Sequence, residues 1–272
     1  MEISRDGLTK DMRWHIAEQL ANDRLEEINA NLKEVLFKET LYTKYGKRLL
    51  DLVLASVAFV ITLPINTIIG VITLFDVGYP LLFKQIRSGK NGKPFTIIKF
   101  RNMRNTYDER GELLPADQRV TKWGKLVRKT SLDELLNFIS IIKGDMSIIG
   151  PRPLPPEYLI RYNKRHKARL KVKPGLECPP HEVLDHAWSW QEHLDNDIWY
   201  VEHISIKTDI LMCIRLVQYV FNKKSSEVRS KAGSGTFMGY DLSGKAIRLE
   251  QVPQEYIERE YKYREDIERT TE

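Results

Sequence analysis

The stretch Leu52–Phe75, LVLASVAFVITLPINTIIGVITLF, limits what this chain can become more than any other. Its 24 residues carry no charge, and a straight helix of that length reaches ~36 Å, enough to cross the ~30 Å core of a bilayer. Pro64 falls in its middle. Proline removes one amide from the helical ladder and its ring clashes with the carbonyl four residues back, so a kink or break is expected there. Each arm alone is ~18 Å, about half the hydrocarbon thickness. Lys44, Lys47 and Arg48 precede the run, and Lys84, Arg87, Lys90 and Lys93 follow it. Bases on both flanks give the positive-inside rule little to work with. A helix that enters and leaves by one face satisfies both facts, with Thr62, Asn66 and Thr67 placed to bond backbone groups freed at Pro64. A spanning helix and a buried core helix are the alternatives.

The second informative stretch is Thr121–Pro153, TKWGKLVRKTSLDELLNFISIIKGDMSIIGPRP. Ser131-Leu-Asp-Glu134 before an apolar run reads as a capping box, with Leu135, Leu136, Phe138, Ile139, Ile141 and Ile142 as the buried side of a short helix that Gly144 ends. That reading has no use for Asp133, nor for Arg128 upstream and Arg152 downstream. Paired acids among arginines suggest phosphate chemistry. The net charge of +6 suits an acidic partner: a phosphorylated substrate, anionic lipid or nucleic acid. Two cysteines, Cys178 and Cys213, imply no disulfide framework, and the polar Met1–Lys10 does not read as a cleavable signal.

Elsewhere the patterns are plainer. Ile16, Leu20, Leu25, Ile28, Leu32, Val35 and Leu36 recur at helical spacing and predict an N-terminal helix. Pro80–Met103 predicts a β-hairpin turning at Asn91-Gly92, with Lys99 and Arg101 on one strand face. Residues 104–121 read as a loop. The bases of 157–173 predict a helix against anionic headgroups. Cys178, His181, His186 and His193 lack the spacing of a structural zinc site. Ile204–Phe221 predicts an amphipathic helix, Ser225–Gly235 a linker, and the charged tail a solvated helix.

Taken in order, these residues resemble the bacterial sugar transferases, the small monotopic phosphoglycosyl transferases. The resemblance runs from about Lys47 to Gly175, and more loosely to Lys223. It is carried by Lys47-Arg48-Leu-Leu-Asp51, Gln85-x-Arg87, Asn91-Gly92-Lys93-x-Phe95, Lys99-Phe-Arg-Asn-Met103, Gly124-Lys-Leu-Val-Arg128, Ser131-Leu-Asp-Glu-Leu135, Lys143-Gly-Asp-Met-Ser147 and Gly150-Pro-Arg-Pro153. It implies a helix-rich α/β fold: a small hairpin-bearing domain held by a Pro64-broken re-entrant helix and interfacial helices. The implied division is an N-terminal extension (1–43), membrane helix (44–76), catalytic domain (77–223) and charged C-terminal tail (224–272). The implied reaction moves a sugar 1-phosphate from a UDP-sugar to undecaprenyl phosphate at the cytoplasmic face of the bacterial inner membrane, in surface glycan assembly. Asp133 would be the nucleophile and Glu134 its companion. Both would be placed to hold Mg2+, while Lys99, Arg101, Arg128, Arg152 and Arg87 neutralise phosphates.

The implied partners are the UDP-sugar, the polyprenyl phosphate and membrane lipid, not nucleic acid; self-association is left open. The alternative is a catalytically inactive membrane scaffold of the same fold. The chain departs from the family where the usual Ser-Pro is Leu63-Pro64. It departs again where Pro-Gly-(Ile/Leu)-Thr-Gly-Trp becomes Pro174-Gly-Leu-Glu-Cys-Pro-Pro180, so the donor sugar is not inherited from relatives.

Overall fold

A computed structural model gives the fold and describes residues 5, 7–109, 111, 113–182, 186, 188–221 and 235–271. The first helix, α1, spans Lys10–Ala30; the Thr9 hydroxyl caps it by accepting from the Met12 amide. Its Ile16, Ala17 and Leu20 are fully buried. The expected helix was longer; it ends at Ala30 with Asn31 as its C-cap, and the Asn29 Oδ1 accepts from the Lys164 amide. Beyond them Val35 enters the main core while Leu36 lies exposed.

After a π-turn over Tyr42–Gly46, α2 runs from Lys47 to Val77. Among the described residues it is the one helix long and apolar enough to cross a membrane, and little of its apolar stretch is buried. Of the kink or break expected at Pro64, the structure shows no break: the helical run continues through the proline. Only the amide aimed at Val60 is lost, and the flanking turns gain side-chain bonds. The Thr62 hydroxyl donates to Ala58 O at 2.8 Å and the Thr67 hydroxyl to Leu63 O at 2.9 Å.

Both ends of α2 are fastened to the same folded body. At its start the Arg48 guanidinium donates to the carbonyls of Ile141 and Ile142, and Asp51 accepts from Ser147 Oγ and the Ile148 amide. At its end Trp123 Nε1 donates to Thr73 Oγ1 at 3.1 Å, and Arg101 donates to the carbonyls of Val77 and Gly78. Between these anchors Val57, Val60, Ile61, Ile65 and Ile68 stand exposed.

The predicted hairpin is present as β1 (Leu82–Ser88) and β2 (Pro94–Phe100), antiparallel with Ile86 opposite Thr96. Asn91 at φ 57° and Gly92 at φ 75° supply the left-handed turn that an Asn-Gly pair permits. The described residues of 101–121 are mainly irregular, with the short α3 (Ala116–Arg119) near their end. Then α4 (Lys122–Lys129), capped by Thr121, leads to α5 (Asn137–Lys143), which Gly144 closes at φ 98°. The strands β3 (Ser147–Ile149) and β4 (Gly175–Glu177) pair in parallel. Gly150 and Gly175 approach so closely that a β-carbon on either would strike the other's backbone.

The basic helix expected at 157–173 is instead two short 3-10 turns, Pro156–Arg161 and His166–Lys171. Arg161 and Arg169 are buried rather than turned to lipid. Each has strong internal acceptors: Arg161 donates to Phe237 O, and Arg169 pairs with Asp197 at 2.7 Å.

The helices α6 (Trp190–His203) and α7 (Ile206–Phe221) follow. One face of α7 buries Met212 and Asp209 while Ile206, Ile210, Ile214 and Val217 are exposed, which matches the amphipathic expectation. The linker expected at 225–235 falls, except for Gly235, outside the described residues. An unpredicted hairpin, β5 (Phe237–Tyr240) and β6 (Ala246–Arg248), precedes α8 (Gln254–Thr271). The sequence makes α8 a solvated helix, but Tyr256, Ile257 and Glu260 are buried. With α1 and β5–β6 they form a second core at the back of the molecule.

Candidate active site

The site lies where the hairpin, the segment between α4 and α5, and the loops after β3 and β4 converge. Ser131 is left-handed, with φ 56°, and forms no cap bond; Leu132–Glu134 is a single 3-10 turn and α5 begins only at Asn137. The expected capping box is therefore absent. Glu134 turns away from Ser131 because two cations lie across from it. Lys99 Nζ is 2.6 Å and Arg152 Nη2 2.5 Å from the same Oε1. Charge-assisted bonds to carboxylate outweigh a neutral capping bond.

Asp133 is more deeply buried, only 6% exposed. Its Oδ2 accepts from Asn102 Nδ2 at 3.3 Å. Burial, with Glu134 adjacent, raises its pKa; the charges of Lys99 and Arg128 oppose that rise without reversing it. Glu134 goes the other way. Burial would raise it too, but Arg152 and Lys99 outweigh burial and hold it at about 2. The Arg152 guanidinium is pushed up, chiefly by Glu134. At neutral pH the site thus holds a firmly ionised glutamate tied to two cations beside a buried aspartate whose pKa is raised.

The predicted phosphate ligands separate into two groups. Lys99, Arg152 and Arg87 line one cavity with Glu134, Asn137 and Leu176. Arg87 donates to Pro153 O and to Gln85 Oε1, and burial near Arg152 lowers its pKa. Arg128, exposed near the end of α4, acts on Asp133 through its charge. Arg101 does not join the site. Its guanidinium closes the C-terminus of α2, where unpaired carbonyls attract a cation.

Other contributors were invisible as pattern. Arg169, bound to Asp197 and to the Tyr162 hydroxyl, donates to the carbonyl of Arg152 at 2.8 Å and so holds that residue's backbone. Asn137 lines the cavity, and its Oδ1 is buried without a hydrogen-bond partner. Glu177 meets Arg152 Nη1 at 3.2 Å. The one available signal was local: Glu177 lies in the segment that departs from the family pattern.

A metal was expected at Asp133 and Glu134. Among the described residues no cluster of three or more His, Cys, Asp or Glu forms a cage. Two adjacent carboxylates fit Mg2+, which commonly takes one or two protein carboxylates and completes its shell with substrate phosphates and water.

Known proteins resemble this chain over much of its length. The family profile described as "Bacterial sugar transferase" matches residues 42–223. The uncharacterised sugar transferase EpsL of Bacillus subtilis is 40% identical over 169 residues, covering 62% of this chain and 84% of EpsL. The UDP-glucose:undecaprenyl-phosphate glucose-1-phosphate transferase of Klebsiella pneumoniae is 30% identical, covering 76% of this chain and 47% of its own. The UDP-N-acetylgalactosamine-undecaprenyl-phosphate N-acetylgalactosaminephosphotransferase of Aeromonas hydrophila is 27% identical over 72% and 48%. The chain spans most of EpsL but only about half of the other two. From the profile match over residues 42–223, with Lys99 and Arg152 converging on Glu134, the chain belongs to the bacterial sugar transferase family.

Proposed function

We propose that this chain transfers a sugar 1-phosphate from a UDP-sugar to undecaprenyl phosphate through a covalent Asp133 intermediate. The observation that carries the reading is the contrast within the acid pair: Asp133 is buried with its pKa raised, while Glu134 is locked in ion pairs. A carboxylate poorly stabilised by its surroundings is the better nucleophile.

In the first half-reaction an Asp133 carboxylate oxygen bonds to the β-phosphorus. The bond from that phosphorus to the bridging oxygen breaks, and UMP leaves with the electron pair. In the second, an undecaprenyl phosphate oxygen attacks the same phosphorus, the aspartyl bond breaks, and Asp133 is regenerated. The covalent stage lets two anionic substrates react in turn without meeting. Lys99 and Arg152 are preorganised to offset charge at the transferring phosphoryl group, and Arg87 adds a third cation to the cavity. Mg2+ held by Asp133 and Glu134 would supply Lewis-acid neutralisation of the diphosphate.

In this reading α2 enters and leaves the membrane by the cytoplasmic face of the inner membrane. Support comes from its two ends, which bond to one folded body, and from exposed apolar residues on α2 and α7. Asp133, with the catalytic domain, then faces the headgroup layer where a lipid phosphate resides.

The test supplies nanodisc-held protein with undecaprenyl phosphate, Mg2+ and a panel of UDP-sugars, measuring UMP and UDP separately. Lipid-dependent UMP release with one preferred donor is the expected result. UDP release would mean ordinary glycosyl transfer and would exclude this mechanism. No release of either from any donor would favour the inactive scaffold.

A further inference from the structure

Arg152 has its fork doubly occupied. Its Nη2 is bound to Glu134 and its Nη1 to Glu177, 3.2 Å away, with a longer bond from Nη1 to the Leu176 carbonyl at 3.3 Å. A guanidinium grips a phosphate best with two parallel N–H bonds, so a site built to receive a diphosphate here must first release a carboxylate.

The two carboxylates are about equally exposed, 20% for Glu134 and 23% for Glu177, but differ in their second partner. Glu134 is shared with the Lys99 cation in the cavity wall. Glu177 Oε2 is paired with Arg152, and its Oε1 accepts from the Cys178 amide at 3.2 Å. Its backbone, by contrast, is fixed: β4 pairs with β3 so that Ile149 lies opposite Glu177, and Gly150 N donates to Glu177 O. The strand therefore presents this carboxylate to Arg152 from a fixed backbone, and its second hydrogen bond is to a neutral amide where Glu134 has a second cation.

We infer that Glu177 is an exchangeable anion on Arg152, occupying a phosphate position in the free site and yielding it to the donor's diphosphate. This rests on the reading of the site as a UDP-sugar transferase. The consequence is a lowered affinity for nucleotide: each diphosphate that binds Arg152 must displace Glu177, and each departing nucleotide is helped away by its return. Glu177 stands where the resemblance places a neutral threonine, so this chain sets a carboxylate against Arg152, one residue beyond the cavity-lining Leu176. It tunes donor affinity and nucleotide release rather than taking part in bond making.

The test is a UDP titration by calorimetry on the full chain in detergent, for wild type, Glu177→Gln and Glu177→Thr. Each is repeated in an Arg152→Lys background. Freed of its competitor, Arg152 should bind UDP about three- to tenfold more tightly in both single variants, in line with losing one charge-assisted partner. The gain should vanish with Arg152→Lys, since a lysine offers no fork. The donor KM should fall in parallel while kcat stays level or drops through slower release. Unchanged or weaker UDP binding in both variants, with unfolding midpoints at the wild-type value, would overturn the inference and leave the reading of the site intact. Variants that do not fold would assign Glu177 to structure and overturn it equally. Wild-type protein that binds no UDP would bring down the reading of the site itself.

Discussion

Asp133 and Glu134 are consecutive in the chain, but the structure places them in opposite electrostatic surroundings. On the Glu134 side, Lys99 from β2 and Arg152 from the loop after β3 converge on one oxygen. On the Asp133 side the contact is the neutral amide of Asn102, and the carboxyl is nearly dry. One acid holds cations in place; the other is buried with a raised pKa. On the proposed mechanism this difference separates organising charge from attacking charge using residues a single step apart. Arg152 has a foot in each task, since Arg169 holds its carbonyl from behind while its fork faces the cavity.

The largest effect that would break this comparison comes from Asp133→Asn. Turnover should fall at least ~10^4-fold, as expected for loss of a covalent nucleophile. The thermal unfolding midpoint should hold or rise, because a buried acid with a raised pKa destabilises the fold when ionised. Kinetics alongside a melting curve checks both halves.

Glu134→Gln should differ on the second measure. It leaves Lys99 and Arg152 facing each other without their shared carboxylate, and should cost about 2–4 kcal/mol in denaturant unfolding as well as most of the activity. A variant as stable as wild type would mean that the cation pair is not organised by Glu134.

The pH profiles should also diverge. Asp133 has a raised folded pKa, so its ionised, attacking form accumulates as pH rises. The acidic limb of kcat/KM should therefore sit above the ordinary aspartate range. Glu134 has a depressed folded pKa. Its contribution to stability is complete above the ordinary glutamate value near ~4.3 and is lost as pH falls toward about 2. An acidic limb that moves in Glu134→Gln but not with Asp133 chemistry would exchange the two roles.

Smaller effects sharpen the boundary of the site. Lys99→Ala should raise the donor KM and lower kcat. Arg101→Ala should leave donor KM unchanged and loosen α2 by about 1–2 kcal/mol through its uncapped carbonyls. Arg128→Ala, removing an exposed charge that acts on Asp133 only at a distance, should change kcat/KM by no more than about tenfold.

What could be read from sequence was what short-range chemistry determines. Asn91-Gly92 marked the hairpin, Gly144 the end of α5, and the apolar run the length of α2. The pairing of Asp133 with Glu134 was visible, but the bond made by Glu134 was misassigned. A capping box is a local rule, whereas Lys99 and Arg152 come from 35 and 18 residues away. The same limit explains Arg101, Arg161 and Arg169. A basic residue reads as solvent- or phosphate-facing until its buried acceptors are known, and those acceptors were Val77 O, Phe237 O and Asp197. The rear core was illegible for a related reason. Its halves, α1 and β5–β6 with α8, lie at opposite ends of the chain, so neither helix's pattern reveals what covers it. There Glu260, buried between His15 and Arg264, looked like one more surface charge.

The account turns on Asp133 forming a bond to phosphorus, and that bond has a mass. Protein incubated with a preferred UDP-sugar in the absence of undecaprenyl phosphate, quenched and measured intact, should gain one phosphosugar. Peptide mapping should place it on Asp133, and adding the lipid phosphate should discharge it. A donor that is turned over by wild type while the protein never gains mass, or gains it equally in Asp133→Asn, would contradict the covalent mechanism.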